Sequence, residues 1–193
     1  ILPESLTTYD IGWNVVKNTV DFSRCSKLTT INFNDAHFDN QNAAVNTFKT
    51  INQLFINQAA LNKTPALNKI VFNGRALGSV TSMDMFKEIQ NCNIPTIEFS
   101  MWDTTCRYNT DLTGLKYLKN VTRLTLTKFN KGSDLSMLIP VYQTDEDGNF
   151  VTDESGNKIL VSGCPNLSTL TITYFDNLQD IGVLGKLPSL SKV

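Results

Sequence analysis

The stretch Cys164-Pro-Asn-Leu167-Ser-Thr-Leu170-Thr-Ile172 places apolar side chains at Leu167, then three residues on, then two residues on. The last two are separated by one polar residue, the period-two signature of a short half-buried strand. The same spacing returns as Leu28-x-x-Ile31-x-Phe33, Leu67-x-x-Ile70-x-Phe72, Ile94-x-x-Ile97-x-Phe99 and Val121-x-x-Leu124-x-Leu126. A further copy opens at Leu190-x-x-Val193. In chain order the copies start at 28, 67, 94, 121, 167 and 190, at intervals of 39, 27, 27, 46 and 23 residues. The two long intervals read as one repeat plus an insertion. Polar turns and apolar stretches at helical intervals follow the strands: Val80, Met83, Phe86 and Ile89; Leu112, Leu115 and Leu118; Leu178, Ile181, Leu184 and Leu187. A strand and a short helix cannot bury their apolar faces alone, but stacked on their neighbours they share one core. A solenoid is expected.

Two copies carry a fuller pattern, Cys25-Ser-Lys-Leu28-Thr-Thr-Ile31 and Cys164-Pro-Asn-Leu167-Ser-Thr-Leu170, and Asn91-Cys92-Asn-Ile94 is one residue shorter. On these motifs, residues 25–193 resemble bacterial leucine-rich repeats of the irregular, surface-associated Cys-x-x-Leu-x-x-Ile type. The resemblance implies an α/β solenoid of about six short parallel strands, with mixed helical and irregular elements on the convex side. It also implies a bacterial source and an extracellular or cell-surface place, with any signal or lipoprotein sequence removed. The position eight after the first apolar residue, usually Asn in such repeats, reads Ala36, Arg75, Trp102, Phe129 and Phe175. An asparagine ladder is therefore not expected.

Residues 1–24 read as an N-terminal cap or degenerate repeat, with Lys17-x-x-Val20-x-Phe22 as a degraded copy. Residues 25–193 form the repeat domain, with two insertions. Within 40–63, Ala44, Phe48, Ile51, Leu54, Phe55 and Ala59 recur at helical spacing, and Thr64-Pro65 would end that helix. Within 140–162, the dipeptides Asp147-Gly148 and Ser155-Gly156 stand between β-formers and predict a β-ribbon. Its acidic turns lack the glycine and distal glutamate of an EF-hand loop, so no calcium site is expected there.

Composition narrows the function. The 193 residues carry 17 basic and 18 acidic side chains. This balance argues against a dedicated nucleic-acid or membrane-surface binder. No apolar run approaches the roughly 18 residues of a membrane span. The chain has 21 Asn and 22 Thr, which suit strands, turns and helix ends over helix interiors and make an all-helical bundle unfavourable.

Candidate chemistry is sparse. Cys25, Cys92 and Cys164 precede the first, third and fifth copies, so they should lie two strands apart, about 10 Å or more. A disulfide needs Cα atoms within about 7 Å. Buried free thiols are the expectation. His37, between Asp35 and Asp39, is the only histidine, and no Cys or His spacing fits zinc. An enzyme built on His37 with Cys25 or Cys106 would need distant groups to converge. No phosphate-binding loop is present, and no cofactor is expected.

The concave face remains. Strand alternation turns three columns outward: Thr30, Lys69, Thr96, Arg123, Thr169 and Lys192; Asn32, Val71, Glu98, Thr125 and Thr171; Asn34, Asn73, Ser100, Thr127 and Thr173. Trp102, Phe129, Tyr174 and Phe175 lie near one rim. Threonine is also simply a good strand former. The expected ligand-binding set is Thr96, Glu98, Ser100, Trp102, Arg123, Thr125, Thr127, Thr169, Thr171, Thr173 and Tyr174. The expected role is non-catalytic recognition of a protein or glycan. The alternatives are a structural spacer of a larger surface protein, with no ligand of its own, or the Cys/His enzyme.

Overall fold

The computed structural model describes residues 2–10, 15–16, 22, 24–34, 37–38, 66–74, 83–101, 111–129 and 134–193. Ten strands are seen in these segments: β1 (Thr8–Asp10), β2 (Val15–Val16), β3 (Thr30–Asn34), β4 (His37–Phe38), β5 (Lys69–Gly74), β6 (Thr96–Met101), β7 (Arg123–Thr127), β8 (Val141–Tyr142), β9 (Leu160–Ser162) and β10 (Thr169–Thr173). Six of them form one parallel sheet in the order β1-β3-β5-β6-β7-β10, so strands follow one another across the sheet as they do along the chain. Each expected apolar pair meets its counterpart in register: Ile31, Ile70, Ile97, Leu124 and Leu170 form one row, and Phe33, Phe72, Phe99, Leu126 and Ile172 the next.

One face of the sheet is covered. Its apolar rows join the first apolar residues, Leu28, Leu67, Ile94, Val121 and Leu167, in one buried core. Phe33 stacks on Phe72 at 5.4 Å between centroids, and Phe72 on Phe99 at 5.1 Å with planes only 8° apart. Phe86 meets both Phe72 and Phe99 edge-on. Phe129 is fully buried between Phe99 and Phe175.

The elements over this face are 3-10 helices: η1 (Asp84–Ile89), η2 (Leu112–Tyr117), η3 (Ser136–Leu138) and η4 (Gly182–Lys186). The sequence period explains why. Met83, Phe86 and Ile89, and likewise Leu112, Leu115 and Leu118, recur at a strict three residues, and all six are buried. Three residues per turn is the 3-10 repeat, whereas an α-helix would drift off this stripe. In η4 the inward residue is Val183, and Ile181, expected in the core, is 65% exposed. That expectation is corrected. Gly114 on η2 packs directly against the Met83 backbone, leaving no room for a β-carbon.

The sheet begins earlier than the degraded copy expected at Lys17–Phe22. Its first strand is β1, with Tyr9 paired to Ile31 and Leu6 packed at the core edge. Phe22 lies outside any strand, buried edge-on against Tyr9. At the other end, Lys192 bridges Thr169 in parallel, so the copy from Leu190 continues the sheet. The helical insertion at 40–63 lies outside the described residues.

The second insertion is a β-ribbon. Strands β8 and β9 pair antiparallel, and bridges join Thr144 to Phe150 and Thr152 to Lys158. It contains a tandem eight-residue unit that the sequence reading missed, Thr144-Asp-Glu-Asp-Gly-Asn-Phe-Val151 followed by Thr152-Asp-Glu-Ser-Gly-Asn-Lys-Ile159. Gly148 and Gly156 both adopt a φ of 83°. Three residues eight apart close a ring of backbone bonds: Gln143 N–H donates to Ile159 O, Val151 N–H to Gln143 O, and Ile159 N–H to Val151 O, at 2.9–3.0 Å.

Candidate recognition face

Alternation that buries Leu124 and Leu126 turns Arg123, Thr125 and Thr127 to the other side of β7. The register then aligns three columns across the open face. Thr30, Lys69, Thr96, Arg123, Thr169 and Lys192 make the first. Asn32, Val71, Glu98, Thr125 and Thr171 make the second, and Asn34, Asn73, Ser100, Thr127 and Thr173 the third. Nine of the eleven expected ligand-binding residues are brought together here: Thr96, Glu98, Ser100, Arg123, Thr125, Thr127, Thr169, Thr171 and Thr173. Tyr174 lies just beyond β10. Trp102 lies outside the described residues.

A groove of about 400 Å³ crosses this face from Thr30 on β3 to Thr169 on β10, passing Lys69, Thr96, Glu98, Arg123 and Thr125. Hydroxyls, the Asn68 amide, Leu124, one carboxylate and two cations line it, and no aromatic ring among the described residues does. Lys69 Nζ lies 2.8 Å from Glu98 Oε1, with both side chains about one-third exposed. Glu98 stands diagonally between Lys69 and Arg123 in the register, and it is held by Lys69. Arg123 is exposed and makes no ion pair among the described residues. At the far edge of the face, Thr127 and Thr173 share a 2.9 Å hydroxyl bond.

The residues just before the strands form a ladder that sequence reading passed over. The Thr7 carbonyl accepts the N–H groups of Thr29 and Thr30, and also the Thr29 hydroxyl at 3.0 Å. The arrangement recurs where Thr122 meets Pro95 O, Ser168 meets Thr122 O and Ser191 meets Ser168 O. A hydroxyl beside the first apolar position therefore ties four of the six copies to the strand before, while Asn68 and Pro95 stand at that position in the other two. This is a structural use of Thr and Ser, separate from the open face. The signal was visible as a hydroxyl residue following Leu28, Val121, Leu167 and Leu190.

Two strands end alike. Thr127-Lys128-Phe129 and Thr173-Tyr174-Phe175 each pass through a left-handed residue, Lys128 at φ 64° and Tyr174 at φ 56°. That turn sends the following Phe inward and leaves Tyr174 68% exposed, with Lys128 Nζ 5.8 Å from its ring centroid. Neither residue has the short polar side chain or missing Cβ that favours this conformation.

Cys25, Cys92 and Cys164 are free and buried, as expected. The Cys164 thiol donates to Leu115 O at 3.6 Å, and burial pushes it up to about 12. Burial also raises the Cys92 thiol. His37 begins β4, paired with Val15 in a separate two-stranded sheet, and Cys106 lies outside the described residues. Among the described residues, no group of His, Cys, Asp or Glu is arranged to hold a metal. No helix among them is long and apolar enough to cross a membrane. No protein-family model matches the chain, and no curated protein matches it.

Proposed function

We propose that the chain is a leucine-rich-repeat solenoid of the surface-associated type, and that it is a non-catalytic recognition module at a cell surface. It holds a protein ligand along the concave, open face of its parallel sheet. The observation that carries this reading is the groove of about 400 Å³, lined by hydroxyls and by charges of both signs on five strands in register. Such a lining satisfies a polar ligand without offering a concentrated apolar patch, in keeping with the polar character of non-obligate interfaces. Among the described residues, the groove has no aromatic ring of the kind on which sugar rings stack. A glycan is the second reading, supported by the exposed ring of Tyr174 at the rim. The spacer role is the reading without a ligand.

Thr125→Trp separates these. Thr125 is half-buried in the middle of the groove, so an indole there fills the groove without touching the core. Wild type and variant are compared on arrays of extracellular proteins and of glycans, with melting temperatures as the folding control. Protein binding by wild type, lost in Thr125→Trp at unchanged melting temperature, is the expected result. Capture of glycans alone supports the second reading. Binding that survives the variant places the ligand elsewhere, and no binding by wild type supports the spacer.

A further inference from the structure

The first outward column alternates in charge character from strand to strand: Thr30, Lys69, Thr96, Arg123, Thr169, Lys192. β1 and β3 both carry threonine, Thr8 and Thr30, and from β5 onward cations occupy every second strand with neutral hydroxyls between. Adjacent strands lie about 4.8 Å apart, so these cations repeat at roughly 9.6 Å along a line that crosses the strands. The second column, which β1 extends with Asp10, supplies two carboxylates: Asp10, which accepts from the Asn32 amide, and Glu98, which Lys69 engages. Arg123 and Lys192 are exposed and make no ion pair among the described residues. The face thus offers two open positive charges and a third that is shared.

A ligand that meets this row needs negative groups with the same repeat, all on one side. In an extended β-strand, residues i and i+2 share a side at about 6.6 Å, and i and i+4 at about 13 Å, neither of which fits. A polyproline II segment has three residues per turn and a rise of about 3.1 Å, so its residues i, i+3 and i+6 share a side at roughly 9.3 Å spacing. That matches the cation row to within a few tenths of an ångström. Its backbone N–H and C=O groups are also unpaired, and Thr30, Thr96 and Thr169 present hydroxyls that both donate and accept. We infer that the open face takes an acidic polypeptide segment in polyproline II conformation, laid across the strands, with carboxylates at every third residue facing Lys69, Arg123 and Lys192. The inference rests on the reading of this face as a protein-binding surface.

The test uses fluorescein-labelled peptides and anisotropy at low ionic strength, because exposed charge pairs are screened by salt. One peptide repeats Glu-Pro-Pro. A second has the same number of Glu and Pro with Glu at every second position in one block, and a third replaces Glu with Gln. An oligogalacturonate competes as a polyanion that is not a peptide. The proteins are the whole chain as wild type, Arg123→Gln, Lys192→Gln, Thr125→Trp and, as a charge control on η4, Lys186→Gln.

The expected result is that the Glu-Pro-Pro peptide binds wild type more tightly than either other peptide. Arg123→Gln and Lys192→Gln each weaken it about three- to five-fold, in line with single exposed charge pairs, and Lys186→Gln leaves it unchanged. Equal affinity for both Glu spacings overturns the inference, as does indifference to Arg123→Gln and Lys192→Gln. Stronger binding of the uronate than of the peptide overturns it in favour of an acidic glycan. If no acidic peptide binds while an array protein is still lost in Thr125→Trp, the inference falls and the protein-binding face stands. If bound protein survives Thr125→Trp, both fall.

Discussion

Leu124 and Thr125 are neighbours in sequence and opposites in environment. Leu124 is buried between Ile97 and Leu170, and Thr125 faces the groove. Leu124→Ala removes apolar groups from a packed core and is expected to cost about 2–5 kcal/mol. Thr125→Ala is expected to cost at most roughly 0.5 kcal/mol. Denaturant melts of the two variants check the pair, and a larger loss at Thr125 would reverse the register. Gly163 adopts a φ of 93° with its α-carbon against the Ile139 carbonyl, so Gly163→Ala adds both strain and a clash. It is expected to lose more stability than Gly185→Ala, where a β-carbon meets open space. At this scale the sequence was informative wherever period-two alternation applied, and every outward column followed from it. It was silent on the left-handed turns at Lys128 and Tyr174, because neither residue type signals that conformation. The hydroxyls of Thr122 and Ser168 were visible beside the first apolar residue, but their partners, carbonyls 27 and 46 residues away, were not.

Among the elements, the apolar triads at η1 and η2 were legible as apolar stretches at helical intervals, but they were read at the 3.6 period, and their strict spacing of three is the 3-10 repeat instead. Ile181 was misplaced because η4 opens one residue after it and carries Val183 inward instead. The ribbon was legible from its turn dipeptides, but its inner logic lies in carboxylate caps. Asp145 Oδ1 accepts the N–H groups of Asp147 and Asn149, and Asp153 Oδ1 those of Ser155 and Asn157. The amide of Asn149 holds the Asp145 carboxyl below the ordinary aspartate range, and the amide of Asn157 does the same for Asp153. A depressed folded value means that the caps are at full strength above the unfolded aspartate value of about 3.9 and fade as pH falls through the folded one. Both turns should therefore hold at neutral pH and loosen only in acid below about pH 4. Amide shifts of Asn149 and Asn157 followed down the pH scale check this, and loosening between pH 7 and 5 would contradict it.

In the whole molecule, the sheet and its 3-10 cover form one buried cluster from Phe22 to Leu187, while the ribbon from Asp145 to Lys158 is exposed throughout except for the half-buried Val151. Replacing Asp145–Lys158 by a short turn should leave one cooperative unfolding transition, since surface insertions cost little loop entropy. A broadened or two-step melt would show that the ribbon supports the core. Parallel order, register and core rows were legible because repeats impose the same local choice at every strand. The ligand was not, because the outward columns face solvent and their residue types answer to strand propensity as well as to binding. The most direct test of the proposed recognition face is an NMR titration of the nitrogen-15-labelled chain with the Glu-Pro-Pro peptide. The account predicts amide shifts concentrated at Lys69, Thr96, Glu98, Arg123, Thr125 and Thr169. Shifts confined to Asp84–Ile89 and Leu112–Tyr117, on the covered side, would contradict it.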